Sequence, residues 1–209
     1  YVAAESMADR FEVALSILSA PGESITYLYI PELDKFGHRN GWQSQGWANL
    51  LEELDALLSR FSKQLPKDSG LIVTADHGMI NVGEKIVIGQ DNDLALDIAT
   101  IAGEPRARHL YLAEDAPLSA HQEVASRWEE YLGDRATIYL RSQAIAAGLF
   151  GTEVSLDAAD RMGDVIAIAN GEMILIEAER EKQESSMVGH HGGATDIESF
   201  VPLLTATVE

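Results

Sequence analysis

Apolar residues recur every three or four positions in two stretches near the start of the chain. This spacing predicts helices over Phe11–Leu18 and Trp47–Leu65, and Pro66 would end the second. Between them, the run Ser24–Ile30 is rich in β-branched and aromatic residues, which is typical of a buried strand. The short apolar run Leu71–Ala75 is typical of a strand that is covered on both faces in a parallel sheet. The order strand, helix, strand therefore predicts an α/β layered fold.

The pattern changes between residues 84 and 182, where the predicted elements are short and mixed. They are strands over Arg108–Leu112, Ala136–Leu140 and Val165–Ala169, and helices over Leu118–Leu132 and Ser142–Ala147. The Gly-rich loop and apolar stretch of Gly189–Leu204 would then rejoin the first sheet. We therefore interpret 84–182 as an inserted α+β subdomain, with 1–83 and 183–209 as part of an α/β core.

Three polar clusters follow the ends of predicted strands. They are Asp34-x-x-x-His38, Asp76-His77-Gly78-Met79 and Gly189-His190-His191-Gly192-Gly193. We expect the first to lie on a loop, because the segment 31–41 is punctuated by glycine and asparagine. Ligands of open α/β sheets bind beyond the carboxyl ends of the strands, so the clusters are expected to converge there. Each cluster taken alone is also compatible with a solvated polar loop, but four of the six histidines lie in these clusters.

The composition limits the chemistry of such a site. The chain has no cysteine, so thiolate metal sites and cysteine nucleophiles are excluded, and a transition-metal site must use His and carboxylate. The formal net charge of -19 argues against a surface for nucleic acid or anionic lipid. Two divalent ions held by these clusters would place about +4 of charge where a phosphate group needs it. His109 and His121, on a predicted strand and helix, are expected to have structural or surface roles.

The clusters, in this order, resemble the type I phosphodiesterase/nucleotide pyrophosphatase family of the alkaline phosphatase superfamily. The similarity lies in the segments Tyr29–Gly41, Leu71–Met79 and Gly189–Glu198. The insertion resembles the smaller subdomain of bacterial members in Gly103–Arg106, Gly148–Gly151 and Arg161–Val165. The resemblance implies an alkaline-phosphatase-like, mainly parallel sheet flanked by helices, with an inserted smaller α+β subdomain.

The resemblance also implies a two-zinc site and its ligands. Asp34, His38 and His191 would hold one zinc, with His190 left open as an alternative to His191, and Asp76 with His77 would belong to the second. Other divalent metals are compatible with the same ligands. Family members carry a further metal-binding Asp and a Thr or Ser nucleophile in an amino-terminal half that no segment here matches. We therefore expect no catalytic nucleophile within this chain and weak or absent activity from the chain alone.

The expected substrate is a small phosphate ester, either a phosphodiester or a phosphomonoester. Two alternatives stay open: another hydrolase of the superfamily, such as a phosphonoacetate hydrolase, or a metal-binding or interaction module without catalysis. Loss of a covering half would expose a sheet edge or face, so the chain is expected to form a homodimer or pair with another chain through it. The sequence shows no membrane-crossing stretch and no signal sequence, and it leaves the localisation open.

Overall fold

A computed structural model describes residues 1–208 of the chain. Its helices are α1 (Met7–Leu18), α2 (Glu32–Asn40), α3 (Gln45–Gln64), α4 (Leu118–Leu132), α5 (Arg141–Ala146), α6 (Leu156–Ala159) and α7 (Asp196–Ser199). Its strands are β1 (Ser69–Thr74), β2 (Ile80–Asn81), β3 (Glu84–Val87), β4 (Thr100–Glu104), β5 (Ala107–Tyr111), β6 (Ala136–Leu140), β7 (Val165–Ala169), β8 (Met173–Ile176), β9 (Gly189–His190) and β10 (Leu203–Val208). Within residues 1–208, no helix is both long enough and apolar enough to cross a membrane.

The larger core lies around an antiparallel sheet with the strand order β4-β5-β7-β6. Helix α4 packs on this sheet and buries Trp128 completely, and the indole Nε1 donates to the Leu94 carbonyl at 2.9 Å. Strand β8 adds four buried residues and pairs in parallel with β3. These elements fall where the sequence predicts short mixed strands and helices, and the predicted bounds of α4, β6 and β7 agree with the structure.

A second core joins the first and last parts of the chain. Helices α1 and α3 bury Phe11 and Phe61 edge to face, with ring centroids 5.3 Å apart. The strand pair β1 and β10 lies against this cluster through Leu71 and Val208. The carboxyl-terminal stretch therefore does rejoin the first part of the chain, as its sequence pattern predicts, and it does so as an antiparallel partner of β1.

Three sequence predictions are wrong in detail. The segment 24–30 is predicted as a buried strand, but its residues alternate between exposed and half-buried, and it forms no ladder with any strand of residues 1–208. Strand β1 is not covered on both faces, because Ile72 is 69% exposed. Within the described residues, β3 with β8 is the parallel pair, so the predicted mainly parallel sheet is replaced here by mostly antiparallel pairings. Pairing depends on which strands are available, which the pattern of one strand does not contain.

A candidate metal centre

Asp34 and His38 lie on helix α2, where the sequence predicts a loop. Their spacing of four residues places them on one face of the helix, and Asp34 Oδ1 lies 3.2 Å from His38 Nε2. The helix continues through Gly37. A Cβ at this position would lie 2.6 Å from the Met79 sulfur, so the tight packing requires glycine. The glycine that resembles a loop residue in the sequence therefore allows α2 to approach the Asp76–Met79 segment closely.

His191 reaches this face of α2 from the far end of the chain. Strand β9 pairs with β2, and His191 follows it directly. One ligand atom each of Asp34, His38 and His191 lie within 4.8 Å of one another, and His191 Nε2 is 3.8 Å from Asp34 Oδ1. The structure therefore brings together the three residues that the family resemblance assigns to the first zinc. A carboxylate and two imidazoles suit a transition metal such as zinc.

Backbone hydrogen bonds set the orientation of the histidine rings. His38 Nδ1 donates to the Gly189 carbonyl at 2.8 Å, and His77 Nδ1 donates to the Gly78 carbonyl at 2.8 Å. Each bond places a proton on Nδ1 and turns Nε2 toward a carboxylate. Metal-binding histidines are commonly held in this way, with the outer ring nitrogen bonded to a carbonyl.

The oxygen at the centre of the cluster favours a cation. Asp34 Oδ1 is buried and has no hydrogen-bond partner among residues 1–208. Its neighbours His38 Nε2 and His191 Nε2 offer a lone pair when Nδ1 carries the proton. A buried acceptor without a donor costs free energy, so these atoms fit a positive ion that all three can bind.

Burial also keeps His191 in the form that binds metal. Burial lowers the pKa of His191, and the nearby His77 and His38 lower it further, against smaller raising effects of Asp34 and Glu104. A lowered pKa means that the imidazole is neutral at neutral pH, as metal coordination requires.

Asp76 and His77 lie beside the three-residue cluster but do not complete a second one. The His77 ring stacks on the His191 ring with centroids 3.6 Å apart, and His77 Nε2 is 3.7 Å from Asp76 Oδ1. The Asp76 side chain is 73% exposed. Among residues 1–208 no third acidic or histidine ligand joins this pair. Asp76 and His77 are thus two candidate ligands at an open surface next to the three-residue cluster.

His190 lies next to the cluster, with its ring centroid 6.0 Å from that of His38, but it contributes no atom to the group of three ligand atoms. It is buried, and its Nε2 donates to the Glu184 carbonyl at 2.9 Å. Burial lowers its pKa, so the ring is neutral. Since its Nε2 is already hydrogen-bonded elsewhere, the geometry favours His191 over His190 as the ligand. His109, another half-buried histidine, accepts from the Gly163 amide at 3.0 Å, which agrees with a structural role.

Sequence reasoning assigned no role to Arg106 and Glu198, which lie behind the cluster. Both are buried, and the guanidinium donates to the two carboxylate oxygens at 2.9 and 2.6 Å. Both residues fall in segments that carry the family resemblance, but they are 92 positions apart, so no local pattern connects them.

Comparisons with known proteins agree with this architecture. The chain superposes with murine ectonucleotide pyrophosphatase/phosphodiesterase 5 at a TM-score of 0.77 and 19% identity, over 99% of this chain and 54% of that one. The chain also superposes with phosphonoacetate hydrolase from Sinorhizobium meliloti, solved in complex with phosphonoformate. The TM-score is 0.68 and the identity 18%, over 97% of this chain and 50% of that one. The chain thus spans about half the length of these structures. No curated protein matches it. The likeness confirms the predicted α/β class and alkaline-phosphatase-like fold.

A family model gives the assignment that fold likeness at this identity does not. The model of type I phosphodiesterase/nucleotide pyrophosphatase matches residues 1–194, which include all three polar clusters. The resemblance on which the sequence analysis depends is therefore confirmed. This chain belongs to the type I phosphodiesterase/nucleotide pyrophosphatase family.

Proposed function

We propose that this chain supplies the metal-holding part of an active site that hydrolyses small phosphate esters. The observation that carries the proposal is the cluster of Asp34 Oδ1, His38 Nε2 and His191 Nε2, in which the carboxylate oxygen is buried without a partner. Family membership supports hydrolysis of phosphodiester or pyrophosphate bonds. In this proposal Asp34, His38 and His191 hold one zinc, and Asp76 with His77 contribute to a second.

Zinc at these positions would supply a positive charge that polarises a phosphoryl oxygen. The chain's own residues contribute orientation: the backbone carbonyls of Gly189 and Gly78 hold the His38 and His77 rings with Nε2 inward. The 73% exposure of Asp76 leaves the second pair open to a further ligand and to substrate. The murine relative has been solved as an inactive variant in complex with AMP, which supports a nucleotide-like phosphate ester as the substrate class.

The rest of the active site is proposed to come from the half that the solved relatives have beyond this chain. Metal-activated hydrolysis by a covalent route needs a hydroxyl nucleophile, which we place there together with a further carboxylate ligand. The domain division into a core of 1–83 and 183–209 and an insertion of 84–182 is part of this proposal. The four-stranded sheet, which lies wholly inside 84–182, supports it.

An open surface supports docking of that half. Leu28 and Ile30 of the unpaired segment 24–30 pack on the same cluster as Leu71 of β1, yet the two segments do not pair with each other. The opposite faces expose Ile25 (101%), Tyr27 (88%) and Ile72 (69%). Unpaired backbone next to exposed apolar side chains is a surface that binds another strand and its covering helices. We propose that the half of the fold that the solved relatives have beyond this chain binds to this surface. Self-association of this chain is the alternative.

Turnover and zinc binding test the proposal together. The chain should bind zinc through the cluster. Once loaded with zinc, it should hydrolyse a nitrophenyl phosphodiester at close to the uncatalysed rate in buffer. Adding a polypeptide that corresponds to the other half of the solved relatives should raise the rate of hydrolysis. The His191→Ala substitution should abolish this increase. Family-level turnover by the chain alone, with contamination excluded, would contradict the division of the site.

Substrate alternatives are resolved in the same complemented assay. Phosphate release from phosphonoacetate, without cleavage of the nitrophenyl ester, would indicate a phosphonoacetate hydrolase. Zinc binding without turnover of either compound would indicate a non-catalytic metal-binding module. An unchanged zinc content in the Asp34→Ala and His38→Ala variants would contradict the metal centre itself.

A further inference from the structure

The carboxylate of Glu198 lies at the point where several segments meet behind the metal cluster. It accepts from the Gly193 amide at 2.9 Å and from the Thr195 hydroxyl, in addition to the two bonds from Arg106. Gly193 follows His191 by two residues. The close approach requires glycine, because a Cβ at Gly193 would lie 2.7 Å from both the guanidinium and the carboxylate. Glu198 therefore holds the loop that carries His191.

The backbone of the same residue holds the other histidine loop. The Gly78 amide donates to the Glu198 carbonyl at 2.7 Å. This contact also requires glycine, since a Cβ at Gly78 would lie 1.8 Å from the Ile197 carbonyl oxygen. His77 precedes Gly78, so Glu198 connects the backbones of His77 and His191, the two rings that stack at 3.6 Å.

Arg106 fixes this connection to the four-stranded sheet. It follows strand β4, its side chain is fully buried, and it also donates to the Met173 carbonyl at the start of β8. Hydrogen bonds to Glu198 outweigh the effect of burial, which acts to raise the pKa of this carboxyl, and leave it below its usual range. Glu198 is thus a carboxylate paired in both oxygens with a planar guanidinium, a geometry that fixes orientation as well as distance.

We propose that Arg106 and Glu198 are positioning residues of the metal centre, which hold His77 and His191 in register with Asp34. The proposal rests on the metal-holding role proposed above. Replacing a residue that holds a metal ligand in position commonly lowers metal affinity about 10- to 100-fold. The arrangement also makes the 84–182 segment, through Arg106, a determinant of the site without touching the metal.

The test replaces both partners at once. The Arg106→Met/Glu198→Met variant removes the pair without leaving a buried charge unpaired, and such exchanges commonly keep or raise stability. The expected result is a folded protein whose zinc dissociation constant, measured by chelator competition, rises about 10- to 100-fold. Wild-type zinc affinity in this variant would overturn the proposal.

The chain offers a control in a second pair, in which a buried arginine binds a half-buried glutamate. Arg108 binds Glu181 and the Leu175 carbonyl, is fully buried, and contacts neither histidine loop. The Arg108→Met/Glu181→Met variant should keep zinc affinity within about twofold of wild type. A loss equal to that of the Arg106/Glu198 variant would overturn the proposal, because the effect would then follow from losing any buried pair.

Amide hydrogen exchange without metal separates this inference from the proposed function. In the Arg106→Met/Glu198→Met variant the Gly78 amide should exchange faster than in wild type. Its acceptor, the backbone carbonyl of residue 198, is still present after the substitution, so faster exchange would report a loosened loop. The Val82 amide, bonded to the Val188 carbonyl at 2.8 Å, should keep its protection as an internal reference. If wild type binds no zinc but Gly78 loses protection in the variant, the proposed function fails, whereas the role of the pair in holding the two histidine loops stands. Unchanged protection of Gly78 would overturn the positioning role.

Discussion

Replacing Asp34 by Asn separates a metal ligand from a polar helix residue. The substitution preserves the shape of the side chain and removes its charge. Asp34 Oδ1 is buried without a hydrogen-bond partner, 3.2 Å from His38 Nε2. In the variant, the amide N–H of the introduced asparagine can take the place of this oxygen and donate to His38 Nε2, which removes the unpaired acceptor. That relief is worth about 1 kcal/mol, the low end of the range for buried groups, since the whole side chain is 34% exposed.

A second effect has the opposite sign. Asp34 lies in the first turn of α2, where a carboxylate interacts favourably with the helix terminus by about 0.3–1 kcal/mol. The two effects nearly cancel, so the metal-free variant should unfold within about 0.5 kcal/mol of wild type. With free zinc at a hundredfold excess over its dissociation constant, wild type should gain about 2.7 kcal/mol and the variant almost nothing.

The assay is urea unfolding followed by tryptophan fluorescence, once with a chelator and once with buffered zinc. For a chain of this size the zinc effect corresponds to a rise in Tm of roughly 5–10 °C. Asp115→Asn, at an exposed position, is the matched control and should behave as wild type in both conditions. Equal stabilisation of wild type and Asp34→Asn by zinc, or a variant that is much less stable without metal, would refute the reasoning.

Three further outcomes follow from the same geometry. His191→Gln should weaken zinc binding by at least tenfold, whereas His190→Gln should change it far less, because His190 Nε2 is bonded elsewhere; chelator competition on both variants decides. Gly78→Ala should destabilise the fold by about 1–3 kcal/mol in urea unfolding, since its Cβ would collide with the Ile197 carbonyl; wild-type stability would contradict this contact. The pKa of Glu198 is lowered in the folded state, so its contribution to stability is present above the usual glutamate pKa and is lost as the pH falls through the lowered value. Unfolding of wild type across that acidic range should therefore show a steeper loss of stability than Glu198→Gln does, and equal slopes would contradict the pairing.

The elements that were predictable from the sequence are those with a complete local pattern. Helix α4 has an apolar stripe with a glycine at its end, and strands β6 and β7 are short apolar runs bounded by polar residues. Their burial depends on neighbours within the same part of the chain. The periodicity therefore contains enough information to place them, and the observed bounds agree.

The segment 24–30 shows where local pattern is insufficient. Its alternation is present in the structure, with Leu28 and Ile30 turned toward the helices and Tyr27 outward. A strand is defined by hydrogen bonds to a partner, and residues 1–208 provide none for this segment. The prediction of a buried strand is therefore wrong for this segment, although the alternation of its side chains is present.

For the candidate site, the sequence supplies residues but not their geometry. The family resemblance implies Asp34, His38 and His191, with His190 left open as an alternative. Gly37 suggested a loop, but the structure has a helix there that packs tightly on Met79. The exclusion of His190 depends on a hydrogen bond to the Glu184 carbonyl, which spacing alone does not show. The Arg106–Glu198 pair depends on contacts across 92 positions, which only the folded chain brings together.

A zinc-soaked crystal with anomalous diffraction at the zinc edge tests the central claim most directly. The account predicts an anomalous peak within about 2.0–2.2 Å of Asp34 Oδ1, His38 Nε2 and His191 Nε2 together. The same peak should be missing in crystals of His191→Gln. A chain that binds zinc only elsewhere, or a cluster that stays without a peak at saturating zinc, would contradict the assignment of this centre.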